Sequence, residues 1–383
     1  MDFNLNSEQM ALQDTARKFA AECLTPYAGE WDECEKFPVD TIKRAAELGL
    51  AGIYTAPEYG GSGLSRLDGA IIFEELAYGC ISTTAYLTVH NMVVWMIATF
   101  GTDAQKREYL PAMCLAEKFS SYCLTEPSSG SDAASLQTRA VKKGGDYIID
   151  GTKSFITMGG ISDVYVVMAR TGGDGPGGIS AFLVDKSSAG LSFGKPEQKM
   201  GWRNQPTTTV NFDSVRVPQS HLLGGEGEGF KMAMRALDGG RVNIAACSLG
   251  GGRRAMDMAG RYMHERRQFN KSLAEFQSLQ FKMTNMAIAM DASRLMTHRA
   301  AAALDTQHAD AGLYAAMAKK MASESAFSAA DEALQIHGGY GYIRDYEIER
   351  ILRDLRVNRI LEGTNEIMQI IIARKILESY RID

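Results

Sequence analysis

Near the end of the chain, the run Asn358-Arg359-Ile360-Leu361-Glu362-Gly363-Thr364-Asn365-Glu366-Ile367 sets one carboxylate, Glu362, behind two large apolar residues and ahead of a glycine and a threonine. A charged side chain so placed meets a desolvated wall, beside backbone free to approach a ligand closely. Burial lifts a carboxylate above its reference of about 4.3 and makes it a stronger base than in water. The same run also reads as a helix start. Thr364 fits an N-cap for a helix from Asn365 through Arg374, with Glu366 in its first turn. The two readings are compatible, because a capped helix end is rigid enough to hold a base.

A second polar stretch is Tyr122-Cys123-Leu124-Thr125-Glu126-Pro127-Ser128-Ser129-Gly130-Ser131-Asp132. Its hydroxyls and backbone donors, turned by Pro127 and Gly130, suit a planar polar ligand that carries a phosphate. The composition equally fits a solvated loop. The run Lys153-Ser154-Phe155-Ile156-Thr157-Met158-Gly159-Gly160 follows and could face the same ligand. Gly173, Gly175 and Gly178 match G-x-G-x-x-G, but Ile179 to Asp185 after them reads as a strand. A dinucleotide-binding loop must open a helix, so a hairpin loop is expected there. H-E-x-x-H, P-loop and G-x-S-x-G patterns are absent. The six histidines are scattered and define no metal cluster; His337 reads as a helix-end residue beside Gly338-Gly339. Arg266-Arg267 reads as a solvated face, although guanidinium forks also suit a pyrophosphate.

The elements that must position these residues fall into three zones. Residues 1–120 read as helical: Leu12, Ala16, Phe19 and Cys23 share one helix face, Asn6 or Ser7 fits its N-cap, and Pro111 punctuates later short helices. Residues 121–227 carry short β-branched or aromatic runs between turn signals, at 147–149, 164–168, 181–184 and 207–212. That pattern predicts an antiparallel β-barrel or sandwich. Residues 228–383 turn helical again, with Leu279, Met283, Met286 and Met290 as the packing stripe of a helix bundle. A net charge of −5 leaves no basic surplus for a nucleic-acid partner. The longest apolar run, around Met92 to Phe100, is too short for a membrane span. The six cysteines show no C-x-x-C pair or disulfide-like spacing, and the start shows no signal or transit pattern. A reduced, cytoplasmic protein is expected.

In order and across nearly the whole chain, these stretches resemble the acyl-CoA dehydrogenase family of flavoenzymes. The resemblance rests on 122–127 with 130–132, Phe155-Ile156-Thr157, Glu265-Arg266-Arg267-Gln268-Phe269, the run 335–342 and Leu361 to Ile367. The runs 60–68, 79–86 and 90–92 resemble members that act on short, 2-methyl-branched acyl-CoA such as isobutyryl-CoA. The resemblance implies an all-α N-terminal domain, a β middle domain and a C-terminal four-helix bundle, assembled as a homotetramer. It implies FAD as cofactor, Glu362 as the base for the α-proton of an acyl-CoA, and an electron-transferring flavoprotein as acceptor. By position, Tyr122, Leu124, Thr125, Gly130, Ser131, Phe155, Ile156 and Thr157 are expected at the flavin. Arg266, Phe269, Gln277, Gln335, Ile336, His337, Gly338 and Gly339 are expected at its ADP half, partly across a subunit interface. Thr364, Asn365 and Glu366 are also expected at FAD; Ser131, Asp238, Arg241 and Arg374 are expected at the acyl-CoA. Two positions depart from the family pattern: Ser128 stands in for a common Gly and Phe155 for the usual Trp. Gly240 occupies the position where isovaleryl-type members place their base. An oxidase that passes electrons directly to oxygen, or a silent helical scaffold, would keep the same fold.

Overall fold

The computed structural model describes residues 4–378 and 380. Helix α1 (Ser7–Phe19) starts at Asn6, whose side chain accepts from Gln9 N while the Gln9 side chain caps back. It buries Ala16 and Phe19, and a π-helical turn (Ala20–Leu24) carries the same face on to Cys23. Short helices α2 (Ala28–Glu33) and α3 (Val39–Glu47) lead to α4 (Arg66–Gly79) and α5 (Ile81–Phe100). These last two are apolar on nearly every side, and helices of that kind are buried on every side. Asn91 within α5 is fully satisfied: Nδ2 donates to Leu50 O and Leu87 O, and Oδ1 accepts from Ile53 N. Helix α6 (Asp103–Cys114) corrects one expectation, because Pro111 lies inside it and does not end it. Only one further turn follows the proline, so one lost hydrogen bond is tolerated.

The middle zone is an eight-stranded sheet: β1 (Ser120–Cys123), β2 (Arg139–Lys143), β3 (Asp146–Thr157), β4 (Val164–Arg170), β5 (Ile179–Asp185), β6 (Leu191–Phe193), β7 (Thr207–Pro218) and β8 (Leu222–Leu223). Its order is β6-β7-β3-β2-β4-β5-β8, with β1 beside β4. The pairing is not purely antiparallel, since β1 and β2 both run parallel to β4. Strand β4 is buried throughout, and its two faces serve different cores. Val164, Val166 and Met168 pack with Met92, Val93 and Met96 of α5, while Tyr165, Val167 and Ala169 pack inside the β module. The G-x-G-x-x-G glycines form a turn into β5, as a hairpin loop should.

The bundle comprises α7 (Gly229–Glu265), α8 (Gln277–Asp305), α9 (Ala311–His337), α10 (Ile348–Arg356) and α11 (Asn365–Glu378). A small hairpin, β9 (Arg267–Gln268) and β10 (Lys271–Ser272), bridges α7 and α8. The buried carboxylates of α4 tie the first zone to the bundle: Glu75 meets Arg253 of α7 at 2.6 Å and Glu74 meets Arg294 of α8 at 2.9 Å. Among the described residues no helix is long and apolar enough to cross a membrane.

Candidate active site

Glu362 sits in the turn that precedes α11. Leu361 packs with Ala85, Trp202, Ile244 and Val357, which form the apolar wall expected behind the Glu362 carboxylate. Glu362 has φ 55° and Gly363 has φ 87°, so two successive residues are left-handed. For a glutamate that backbone is strained and persists only when its surroundings fix it. Two cations do so: Arg241 Nε donates to Glu362 O at 3.2 Å, and Lys319 Nζ donates to Gly363 O at 2.7 Å. Thr364 caps α11, its Oγ1 accepting from Ile367 N at 3.3 Å.

The residue as a whole is half-buried, but its Oε2 is shielded and has no hydrogen-bond partner among the described residues. Burial pushes the Glu362 carboxyl up to about 7, against the opposing pull of Arg241 and Lys319. Gly240 of α7 lies directly against it: a Cβ there would stand 2.5 Å from Oε2. The carboxyl is therefore poised near neutrality, with its free oxygen over a glycine.

It opens on a cavity of about 600 Å³ walled by all three zones. Strand β1 and the loop after it supply Tyr122, Leu124, Thr125, Gly130 and Ser131. Strand β3 supplies Phe155, Ile156 and Thr157, at a bulge in its pairing with β7 between Lys153 and Ile156. Phe155 has φ 56° and is 69% exposed, an aromatic held strained and in the open. The bundle supplies Arg241, Glu362 and, exposed on α11, Arg374.

Other expected residues lie elsewhere. Asp238 is not on the cavity wall; it pairs with Arg241 Nη1 at 2.7 Å and so reaches the cavity only through that guanidinium. Asn365 is turned away, its amide taken up by Lys319, Ser323 and Glu324, because the helix start directs it into the α9 interface. Glu366 is exposed, and the Thr364 hydroxyl is occupied by its cap. Arg266, Ile336, His337, Gly338 and Gly339 gather around a second cavity of about 490 Å³. There His337 stacks on Tyr262 at 4.4 Å, and the Arg266 guanidinium lies 5.5 Å from the Tyr340 ring centre. Gln277 and Gln335 are exposed, and Phe269 is 87% exposed with φ 52°.

Sequence reasoning missed three features. Trp202, 8% exposed with φ 52°, lines the first cavity; its backbone N–H donates to Asp354 Oδ1 at 2.6 Å. Lys153 and Glu126 form a buried pair at 2.7 Å, and Lys153 Nζ also donates to Leu124 O at 3.0 Å. Both residues lie in the two polar stretches, which was the available signal. Lys319, wholly buried, had none beyond being a lysine in an Ala- and Met-rich run.

Three family models match the chain in order: Acyl-CoA dehydrogenase, N-terminal domain over residues 6–117, middle domain over 121–215, and C-terminal domain over 227–377. Isobutyryl-CoA dehydrogenase, mitochondrial, of Bos taurus is 50% identical over 374 residues, 98% of this chain and 90% of that one. The structure of butyryl-CoA dehydrogenase from Megasphaera elsdenii matches with a TM-score of 0.96 at 37% identity, covering 98% of this chain and all (100%) of that one. An FAD complex of PigA matches with a TM-score of 0.95 at 32% identity, covering 98% and 99%. The chain belongs to the acyl-CoA dehydrogenase family. It is an FAD-dependent oxidoreductase that dehydrogenates acyl-CoA thioesters.

The first cavity fits that cofactor. Tyr122 Oη and Trp202 Nε1 are buried on its wall without a hydrogen-bond partner among the described residues, and Phe155 offers an exposed aromatic face. A Cβ built on Gly130 would meet nothing within 4 Å, so the loop leaves room beside it. When bound, FAD supplies the acceptor for the hydride leaving the β-carbon.

Proposed function

We propose that the chain dehydrogenates a short, 2-methyl-branched acyl-CoA, with isobutyryl-CoA as its best substrate and Glu362 as the base. The carrying observation is the shielded Glu362 carboxylate, lifted to about 7 on the wall of a cavity shared by three domains. An α-C–H is a weak acid, so its removal needs a base matched to neutral pH and a substrate held still. Glu362 takes the proton onto its carboxylate. The apolar wall of Leu361, Trp202 and Ile244 keeps water away and leaves little polar surface for a charged acyl chain. The relative of Bos taurus supports isobutyryl-CoA; the similarity to butyryl-CoA dehydrogenase supports only a short acyl chain.

In this reading Leu124, Thr125 and Phe155 to Thr157 hold the flavin ring, with Ser131 near a phosphate or the substrate. Arg241 orients the base, and Arg374 takes part in acyl-CoA binding. The second cavity, with Arg266, His337 and Gly338, holds an ADP half partly from a neighbouring subunit of a homotetramer. Its supporting surface is a stripe on α8, where Phe281, Ile288 and Leu295 recur at seven-residue spacing and are 58%, 64% and 43% exposed. Electrons then pass to an electron-transferring flavoprotein, and the protein works in the cytoplasm.

The test is a panel of isobutyryl-, 2-methylbutyryl-, isovaleryl-, butyryl- and octanoyl-CoA with an artificial electron acceptor. Isobutyryl-CoA should give the highest kcat/KM. One methylene changes pocket binding by about 1–3 kcal/mol, enough to separate neighbours on the panel. An octanoyl-CoA optimum would refute the substrate reading.

A further inference from the structure

The Glu362 turn is held from α9 by a buried lysine, Lys319. Lys319 is fully buried, and its Nζ donates to Gly363 O at 2.7 Å and to Asn365 Oδ1 at 3.0 Å. It therefore grips both sides of the Thr364 cap, one residue from the strained Glu362. Its neighbour Lys320 points outward to Glu324, the ordinary behaviour of a lysine on a helix. A buried ammonium is costly to keep, and a neutral residue of the same length would fill the space without that cost.

We propose that Lys319 is a positioning residue for the Glu362 base, fixing its left-handed turn through the Gly363 carbonyl and favouring its ionised form by charge. The inference rests on Glu362 being the base. Other titratable groups surround the pair: Arg241 from α7 and Tyr122 from β1 interact with Glu362, Glu366 from α11 and Glu324 from α9 act on Lys319, Asp238 of α7 pairs with Arg241, and Arg374 of α11 shares the cavity wall. Burial pulls Lys319 down to about 8. Its positive charge therefore fades as pH rises through about 8.

The experiment measures single-turnover flavin reduction by isobutyryl-CoA from pH 5.5 to 9.5, in flavin-saturated wild type, Lys319→Met and Glu362→Gln. Melting temperature and flavin content serve as controls. Removing the charge should move the rising limb to higher pH by about one unit, a tenfold loss near pH 6. Above about pH 8, wild-type Lys319 loses its proton and the two enzymes should approach each other to within a few-fold. A purely structural role would lower the rate equally at all pH values and would overturn the proposal, as would an unchanged profile. If Lys319→Met loses its fold or flavin, Asn365→Asp sets a carboxylate against Nζ and should shift the limb the same way. An unshifted limb in that variant overturns the proposal. Normal reduction by Glu362→Gln would instead remove the base assignment itself. An inactive Glu362→Gln beside a wild-type Lys319→Met profile would remove only the role of Lys319.

Discussion

At the scale of the residue, Glu362 and Gly240 divide one small volume. A Cβ at 240 would fall 2.5 Å from Oε2, closer than any stable contact, and the carboxylate is the softer partner. Gly240→Ala should therefore keep its fold and flavin but displace the base. A displacement near 1 Å at a reacting group costs about 10²-fold, and single-turnover flavin reduction should fall by about that factor. An unchanged rate would mean that Glu362 works from another rotamer. Because of the same contact, Glu362→Gly with Gly240→Glu should recover part of the activity. Glu362 was legible in the sequence because its neighbours are unusual: two large apolar residues before it, Gly and Thr after. Lys319 was not, because Lys319 and Lys320 are identical in type and only the packed helix decides which one is buried.

At the scale of the element, the strands whose β-branched runs alternate between turns were legible, and so was the cap at Thr364. Strand β1 was not: Ser120 to Cys123 is short and polar, and it becomes a strand only because β4 offers a free edge to pair with in parallel. Its position matters, since it carries Tyr122 and the loop that walls the cavity. That loop is pinned by the buried Glu126–Lys153 pair, with Glu126 also accepting from Gln137 N and Thr138 N. Burial would raise the Glu126 carboxyl, but Lys153 and these donors outweigh it and hold it below its usual range. Its stabilising contribution is thus full above the unfolded value of about 4.3 and is lost as pH falls through the lower folded one. Lys153→Met strands the carboxylate, which costs about 3–5 kcal/mol for a broken buried pair. It should lower the melting temperature and loosen FAD, because Leu124 O also loses its donor. A variant that melts and retains flavin like wild type would show the pair to be dispensable.

At the scale of the whole molecule, a helical layer, a mixed sheet and a bundle each deliver one wall of the same cavity, and α7 lines it with Phe230, Met234, Leu237, Arg241 and Ile244. The three-zone architecture was legible because periodicity changes sharply from 3.6 to 2 and back. The convergence of the zones was not, because it depends on contacts such as Leu361 on Trp202 between residues far apart in sequence. All three walls would serve one event, proton removal by Glu362, and that event can be watched directly. Anaerobic addition of isobutyryl-CoA to flavin-saturated protein should bleach the flavin of the wild type within a single turnover. Glu362→Gln keeps the side chain's volume and should keep the flavin, but an amide is no base, so bleaching should slow by about 10⁴-fold. Bleaching by Glu362→Gln at close to the wild-type rate would contradict the account, because another residue would then be taking the proton.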